Sequence, residues 1–273
     1  MYETYWQLHQ KPFEMGADPR FYYPGETHQA ALLKLRYAVE SCRGGTLLAG
    51  PSGCGKTLII GLLRQMLGPG CSPFVHLVFP QMSAPELLAY LAGELTGETY
   101  PDRCPGVQES VRQIERFLNE NTARGRRAVV VVDEAHLCED PATLEAIRLL
   151  LNFEPAGQPG LTLFLSGQTA LLPILDRMPQ LEERLGVKCL VRPFSADETA
   201  AYVEHRLKVA GATEPIFEPQ ALTTLYQLTH GVPRRINRLC DLALLIGYAE
   251  GLRKLTSDHL EAVQDELVTV ATE

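Results

Sequence analysis

The chain has 273 residues, 45% of them hydrophobic and 21% charged, with a formal net charge of −8 at pH 7. That composition is ordinary for a globular protein, and the length suits one large domain or a core with a smaller companion. The acidic balance excludes a global basic footprint for nucleic acid or anionic membrane, though not a local basic face.

The seven cysteines (Cys42, Cys54, Cys71, Cys104, Cys138, Cys189 and Cys240) are scattered and odd in number. None forms a C-x-x-C pair, so neither a zinc site nor a disulfide framework is expected, and a reducing cytosol is the simplest home. The opening Met1–Trp6 lacks the basic start and apolar core of a signal peptide. No stretch approaches the ~20 apolar residues of a membrane span. Leu239 to Ala249 comes nearest, but it is short and interrupted by Asp241.

In chain order, residues 1–25 are rich in aromatics and turn formers: Trp6, Pro12-Phe13, Asp18-Pro19 and Phe21 to Gly25. This reads as an ordered irregular arm packed on a neighbour. Glu26 to Cys42 reads as a helix with Ala30, Leu33, Tyr37 and Ala38 on one face. Gly45 to Ala49 is a short apolar run of the kind a buried parallel strand shows. Leu58 to Leu67 has helical spacing at Leu58, Leu62, Leu63 and Met66.

Between that strand and that helix lies Gly50-Pro51-Ser52-Gly53-Cys54-Gly55-Lys56-Thr57. It matches G-x-x-x-x-G-K-[ST], in the strand–loop–helix setting that makes a phosphate loop. Glycines let backbone N–H groups converge on a phosphate, and the helix N-terminus adds unsatisfied donors and positive dipole. Lys56 is the candidate for the β- and γ-phosphates, and the Thr57 hydroxyl for Mg²⁺.

Further on, Phe74 to Phe79 reads as a strand ended by Pro80, with Ser83 capping a helix over Ala84 to Leu95. Thr96 to Pro105 reads as loop, and Val107, Val111, Ile114, Phe117 and Leu118 mark another helix. Ala128 to Glu134 contains four consecutive valines, as a central strand buried on both faces would. A helix opens at Asp140-Pro141 and runs to about Asn152. Leu161 to Ser166 and Val187 to Val191 complete five strands alternating with helices, which argues for a parallel α/β sheet. Beyond Pro193-Phe194 only helical patterns remain: 195–210, 218–229, 233–249 and 257–267. A boundary near residue 194 follows, with 1–194 forming the arm and the phosphate-loop domain, and 195–273 a helical domain.

A phosphate loop needs acidic residues on a second strand. Asp133 and Glu134 end the valine strand, where a parallel sheet presents its ligand edge. Asp133 is the candidate for Mg²⁺, directly or through water, and Glu134 for the general base. Ser166-Gly167-Gln168 ends the fourth strand. Gln168 is the first candidate there to reach the γ-phosphate or attacking water, and Ser166 the second. His136 has no visible metal partners and reads as structural.

The order of phosphate loop, Val-Val-Asp-Glu-Ala-His, polar strand end and helical tail resembles the AAA+ ATPases. The opening Met1-Tyr2, Lys11-Pro12-Phe13 and Asp18-Pro19-Arg20-Phe21-Tyr22 is similar to the general secretion pathway protein A (ExeA-like) group. So are Ser166-Gly167-Gln168 and the run Gly231-Val232-Pro233-Arg234-Arg235-Ile236-Asn237-Arg238. That group shades into transposition ATPases of the same build. The resemblance covers about residues 1–265 and implies a P-loop NTPase fold with a parallel five-stranded sheet and a C-terminal all-helical lid.

It also implies roles that spacing alone does not supply. Arg184, or else Arg177, stands where such proteins carry an arginine finger for a neighbouring subunit's nucleotide. Arg234, with Arg235 and Arg238 as competitors, stands where they carry a γ-phosphate sensor. Phe21, Tyr22, Tyr23 and His28 would lie near the adenine.

The expectation is therefore a Mg²⁺-dependent ATPase that forms an ATP-dependent homo-oligomer and works on a protein partner in secretion or envelope assembly. A DNA-bound ATPase of transposition and a non-catalytic nucleotide-gated scaffold are the alternatives. GTP is not excluded, since no base-specific motif is visible. The secretion group continues into a membrane span and a periplasmic part, neither of which is seen in these 273 residues. The chain is thus expected to be an excised domain or a stand-alone ATPase.

Overall fold

The computed structural model describes residues 1–98, 105–138 and 140–270. Cys104 and most of the loop expected after Thr96 lie outside them. The chain forms two compact units. One comprises Thr27–Pro51 and Ile59–Val191; the other comprises Met1–Glu26, Ser52–Leu58 and Arg192–Glu273.

The first unit is built on five parallel strands: β1 (Gly45–Ala49), β2 (Phe74–Leu77), β3 (Ala128–Val132), β4 (Leu161–Gly167) and β5 (Leu185–Leu190). Their order is β2-β3-β4-β1-β5. The parallel five-stranded sheet expected from sequence is thus present. Every residue of β1, β3 and β4 is buried, because helices cover both faces of a central parallel strand. The edge strands β2 and β5 are buried only in part.

One core gathers Leu47, Val130, Val132, Leu163 and Leu165 with α3 (Ala84–Thr96), α4 (Val107–Ala123) and α5 (Pro141–Leu150). Leu87, Leu91, Ile114 and Ile147 are fully buried there, each contributing about 1.5–3 kcal/mol of apolar burial. The helix starts follow local chemistry. Ser83 and Glu86 form a capping box, and Asp140 accepts from the Ala142 amide at 2.9 Å.

The helix α1 (Glu26–Glu40) corrects one sequence reading. Its buried face is His28, Ala31, Leu32, Leu35, Ala38 and Val39. Of the expected face, Ala38 is buried, but Ala30, Leu33 and Tyr37 are exposed. The helix carries apolar residues on both sides, so periodicity alone could not say which side the sheet covers. Two short helices also escaped the pattern: α6 (Leu171–Asp176) and α7 (Pro179–Glu182), each too short to show a period. Val78 and Phe79, expected to finish β2, lie beyond it and are exposed.

The second unit holds α8 (Ala196–Val209), α9 (Pro219–Thr229), α10 (Pro233–Ala249) and α11 (Ser257–Val270). The arm belongs to this unit, whereas the sequence boundary had grouped it with the sheet. Tyr2, Trp6, Leu8, Phe13 and Phe21 share a core with Val203, Leu225, Ile236, Leu244 and Leu260. Trp6 Nε1 donates to the Leu244 carbonyl at 2.9 Å. Arg206 of α8 is buried and binds the arm: its guanidinium donates to the Pro12 and Glu14 carbonyls and lies 4.6 Å from the Phe21 ring centroid.

Candidate functional site

Three neighbouring parallel strands finish at one edge of the sheet. β1 runs into Gly50, whose amide donates to the Gly167 carbonyl at the end of β4 at 3.2 Å. β3 finishes beside β4 with Val132 opposite Leu165, which brings Asp133 level with Ser166. The Asp133 amide donates to the Leu77 carbonyl at 2.8 Å, so β2 joins the same edge. This is the edge where a parallel sheet binds ligands.

From Gly50 and Pro51 the chain enters the loop Ser52 to Gly55, and the helix α2 (Lys56–Met66) starts directly after it. Gly53 and Gly55 have φ of 78° and 81°. Such angles favour glycine and let successive amides face one side. Gly53 also needs its lack of side chain for space, since a Cβ would come 2.9 Å from the Arg234 Cβ. The Arg234 amide donates to the Gly53 carbonyl at 3.2 Å. Folding thus brings the arginine that opens α10 against the phosphate loop, 181 residues earlier in the chain.

Lys56 and Cys54 are buried, and Thr57 is exposed at the first turn of α2. Burial raises the Cys54 thiol pKa, and the nearby Lys56 ammonium opposes this less strongly. Gly231, which opens the Gly-Val-Pro-Arg run, has φ of 69°, and a Cβ there would strike the Phe194 carbonyl oxygen at 1.9 Å. That position accepts only glycine.

Asp133 is 3% exposed. Its Oδ1 accepts from the Ser166 hydroxyl at 2.7 Å and from the Glu134 amide at 3.0 Å. Its Oδ2 lies 3.4 Å from His76 Nε2. Glu134 adopts a left-handed backbone with φ of 50°, uncommon for a residue with a side chain. Its Oε2 is buried with no hydrogen bond and sits 3.4 Å from His136 Nδ1. The same nitrogen lies 3.4 Å from the Gln168 amide.

His136, which reads as structural from sequence, and His76, which no sequence motif marks, both border the acidic pair. Alternation along β2 was the only signal for His76. Ser166, weighed there for the phosphate, is fully buried and turned to Asp133. Gln168 is half-buried at the strand end.

Phe21 and Tyr22 belong to the arm. Phe21 is buried beneath Arg206. Tyr22 is partly buried, its hydroxyl has no hydrogen bond, and burial raises its pKa. His28 is buried in α1. Arg184 directly precedes β5, at the sheet edge opposite Asp133, and its guanidinium lies 3.7 Å from Glu154. Arg177 ends α6, exposed. Among the described residues no cluster of three His, Cys, Asp or Glu would hold a metal alone, and no helix is long and apolar enough to cross a membrane.

A model of the AAA domain matches residues 39–175, the stretch from the end of α1 through the phosphate loop, Asp133 and β4. The chain belongs to the AAA domain family. This AAA protein is 35% identical, over its whole length, to general secretion pathway protein A of Aeromonas hydrophila, of which the match covers 50%. It is 27% identical over 51% of its length to a potential ATP-binding protein of Staphylococcus aureus, again covering 51% of that chain. The chain therefore spans about half the length of the curated relatives it matches.

Solved structures of similar fold include Cdc6p from Pyrobaculum aerophilum, with a TM-score of 0.69, 20% identity, and coverage of 89% of this chain and 67% of that one. The ORC2 protein of Aeropyrum pernix, in ADPNP–ADP complexes, gives a TM-score of 0.66 at 16% identity, covering 94% of this chain and 71% of that one.

Proposed function

We propose that the chain is a Mg²⁺-dependent ATPase whose turnover drives assembly or remodelling of a protein complex in secretion or envelope assembly. The observation that carries this is the shared strand edge: Gly50 leads into a glycine loop and helix N-terminus, while Asp133 and Glu134 follow the buried β3, one strand beyond β4. The residues fit the groups. The loop Ser52 to Gly55 offers amides and Lys56 an ammonium for phosphate, and the Asp133 carboxylate and Thr57 hydroxyl are the hard oxygen donors Mg²⁺ prefers. When bound, the ion neutralises phosphate charge.

Lys56 would orient the β- and γ-phosphates, and Arg234, held on Gly53, would contact the γ-phosphate. Glu134 would take a proton from water as general base, and Gln168 would hold that water or a phosphate oxygen. Tyr22 would flank the base, whereas Phe21 has its ring against Arg206. The secretion role rests on the 35% identity to general secretion pathway protein A and extends to this chain as a proposal.

Measuring ATP hydrolysis and ATP binding for wild type and Glu134→Gln tests the reading. Loss of about 10²-fold or more in turnover with binding retained is expected. Wild-type turnover in Glu134→Gln, or none in the wild type, overturns it.

One observation favours the DNA-bound alternative. Arg234, Arg235 and Arg238 are exposed on one end of α10, and proteins of this fold include the Drosophila ORC bound to DNA. Duplex DNA that stimulates turnover, with an effect that collapses at higher salt, would select that reading.

A further inference from the structure

Asp133 is held from two neighbouring strands. Ser166 on β4 donates its hydroxyl to Oδ1 at 2.7 Å, and His76 on β2 faces Oδ2 at 3.4 Å. The Glu134 amide adds a second donor to Oδ1 at 3.0 Å. All three groups surround a carboxylate that is 3% exposed. The register makes this possible. His76 pairs with Val131, and Val132 with Leu165, so residues from β2, β3 and β4 converge at one edge.

A buried carboxylate free to rotate would offer a cation a different oxygen in each rotamer. Here the carboxylate plane is set by donors on one oxygen and an imidazole beside the other. Ser166 is fully buried and its hydroxyl is committed to Asp133, so it is not placed to serve a phosphate.

We infer that Ser166 and His76 are positioning residues that fix Asp133 for its divalent cation, and that they set how tightly this chain takes Mg²⁺ with nucleotide. The inference rests on the proposed Mg²⁺-dependent nucleotide site. Ser166 matters more than His76, because its bond is short and fully shielded while the His76 contact is long. Groups behind a metal ligand typically govern metal affinity by 10–100-fold.

The test titrates Mg²⁺ against binding of a fluorescent ATP analogue to the full chain, and against nucleotide-dependent thermal stabilisation, for wild type, Ser166→Ala, Ser166→Cys and His76→Ala. Ser166→Ala is expected to raise the Mg²⁺ concentration at half-effect by about tenfold or more. Affinity for the analogue without Mg²⁺ should stay within about twofold of wild type, since both residues act through Asp133. Ser166→Cys, similar in shape with a weaker donor, should fall between wild type and alanine. His76→Ala should move the same way by less.

A merely structural role would lower the melting temperature and leave the Mg²⁺ half-point in place. Folded variants with an unchanged half-point overturn the inference. If Ser166→Ala does not fold, the partly exposed His76→Ala decides alone. Wild-type binding that ignores Mg²⁺ overturns the proposed metal site and this inference together, whereas a Mg²⁺-dependent wild type with indifferent variants overturns only the inference.

Discussion

Cys54 stands inside the phosphate loop, where an alkylating reagent would block phosphate, yet the fold withholds it. The residue is fully buried, and burial raises its thiol pKa above the ordinary range. The thiolate is the reactive form, so the fold protects this side chain twice. Iodoacetamide at neutral pH should therefore modify the half-buried Cys42 well before Cys54. Peptide mass spectrometry of a timed reaction checks this, and early loss of Cys54 would contradict the buried loop geometry. The acidic residues show the same dependence on surroundings. Asp133 and Glu134 are adjacent in sequence, yet one is clamped by a serine and a histidine. The other turns through a left-handed backbone and leaves a buried oxygen near His136.

The start of α8 concentrates electrostatics in one element. Glu198 accepts amide hydrogens from Ser195 and Glu26, both at 2.8 Å, and a guanidinium hydrogen from Arg192 at 2.7 Å. Burial alone would raise its pKa, but these donors outweigh it and bring the carboxyl down from an ordinary 4.5 to about 2. A depressed folded pKa stabilises the fold above the unfolded value and loses that contribution as pH falls through the folded one. The stabilisation is thus complete above about pH 4.5 and disappears toward pH 2. Glu198→Gln should lower the melting temperature at pH 7, with the gap to wild type closing as acid is added below pH 4.5.

The same helix secures the arm through Arg206, which reaches the Pro12 and Glu14 carbonyls and the Tyr202 hydroxyl. Its replacement by alanine should cost about 3 kcal/mol or more in denaturant unfolding, because charged hydrogen bonds and ring contacts vanish together. Lysine should not restore it, since an ammonium cannot span the same fork of acceptors.

At the scale of the molecule, the direction of β5 constrains Arg184. This arginine precedes the strand, so the six residues of β5 separate it by ~18 Å from the edge that carries Asp133. It does not serve its own chain's acidic edge, and any role as a finger must be played on a second copy. Specific ATPase activity is then expected to rise with protein concentration, and Arg184→Ala should abolish the rise while ATP still binds. Arg177 is the comparison: it is exposed and without an ion pair among the described residues, whereas Arg184 faces Glu154 at 3.7 Å. If Arg177→Ala removes the concentration dependence and Arg184→Ala does not, the finger is Arg177. A wild type whose specific activity is flat at every concentration, or a rise that persists in both variants, would mean that neither arginine acts between copies.

The phosphate loop, the acidic pair and the parallel sheet were legible in the sequence because each depends on local chemistry. Gly53 and Gly55 are needed for backbone angles, Lys56 and Thr57 by their place at a helix start, and the valines of β3 by burial on both faces. Such requirements act within a few residues and leave a pattern. What could not be read depends on packing between distant segments. No spacing rule shows that Arg234 rests on Gly53, that Ser166 and His76 hold Asp133, or that the aromatic arm is bound by Arg206. The buried side of α1 was undecidable for the same reason: both of its faces are apolar, and only the sheet beneath chose between them. Local stereochemistry determined which elements form and which loop can receive a phosphate. The tertiary structure decided which side chains meet, because burial and hydrogen-bond satisfaction are settled only when the strands and helices close on one another.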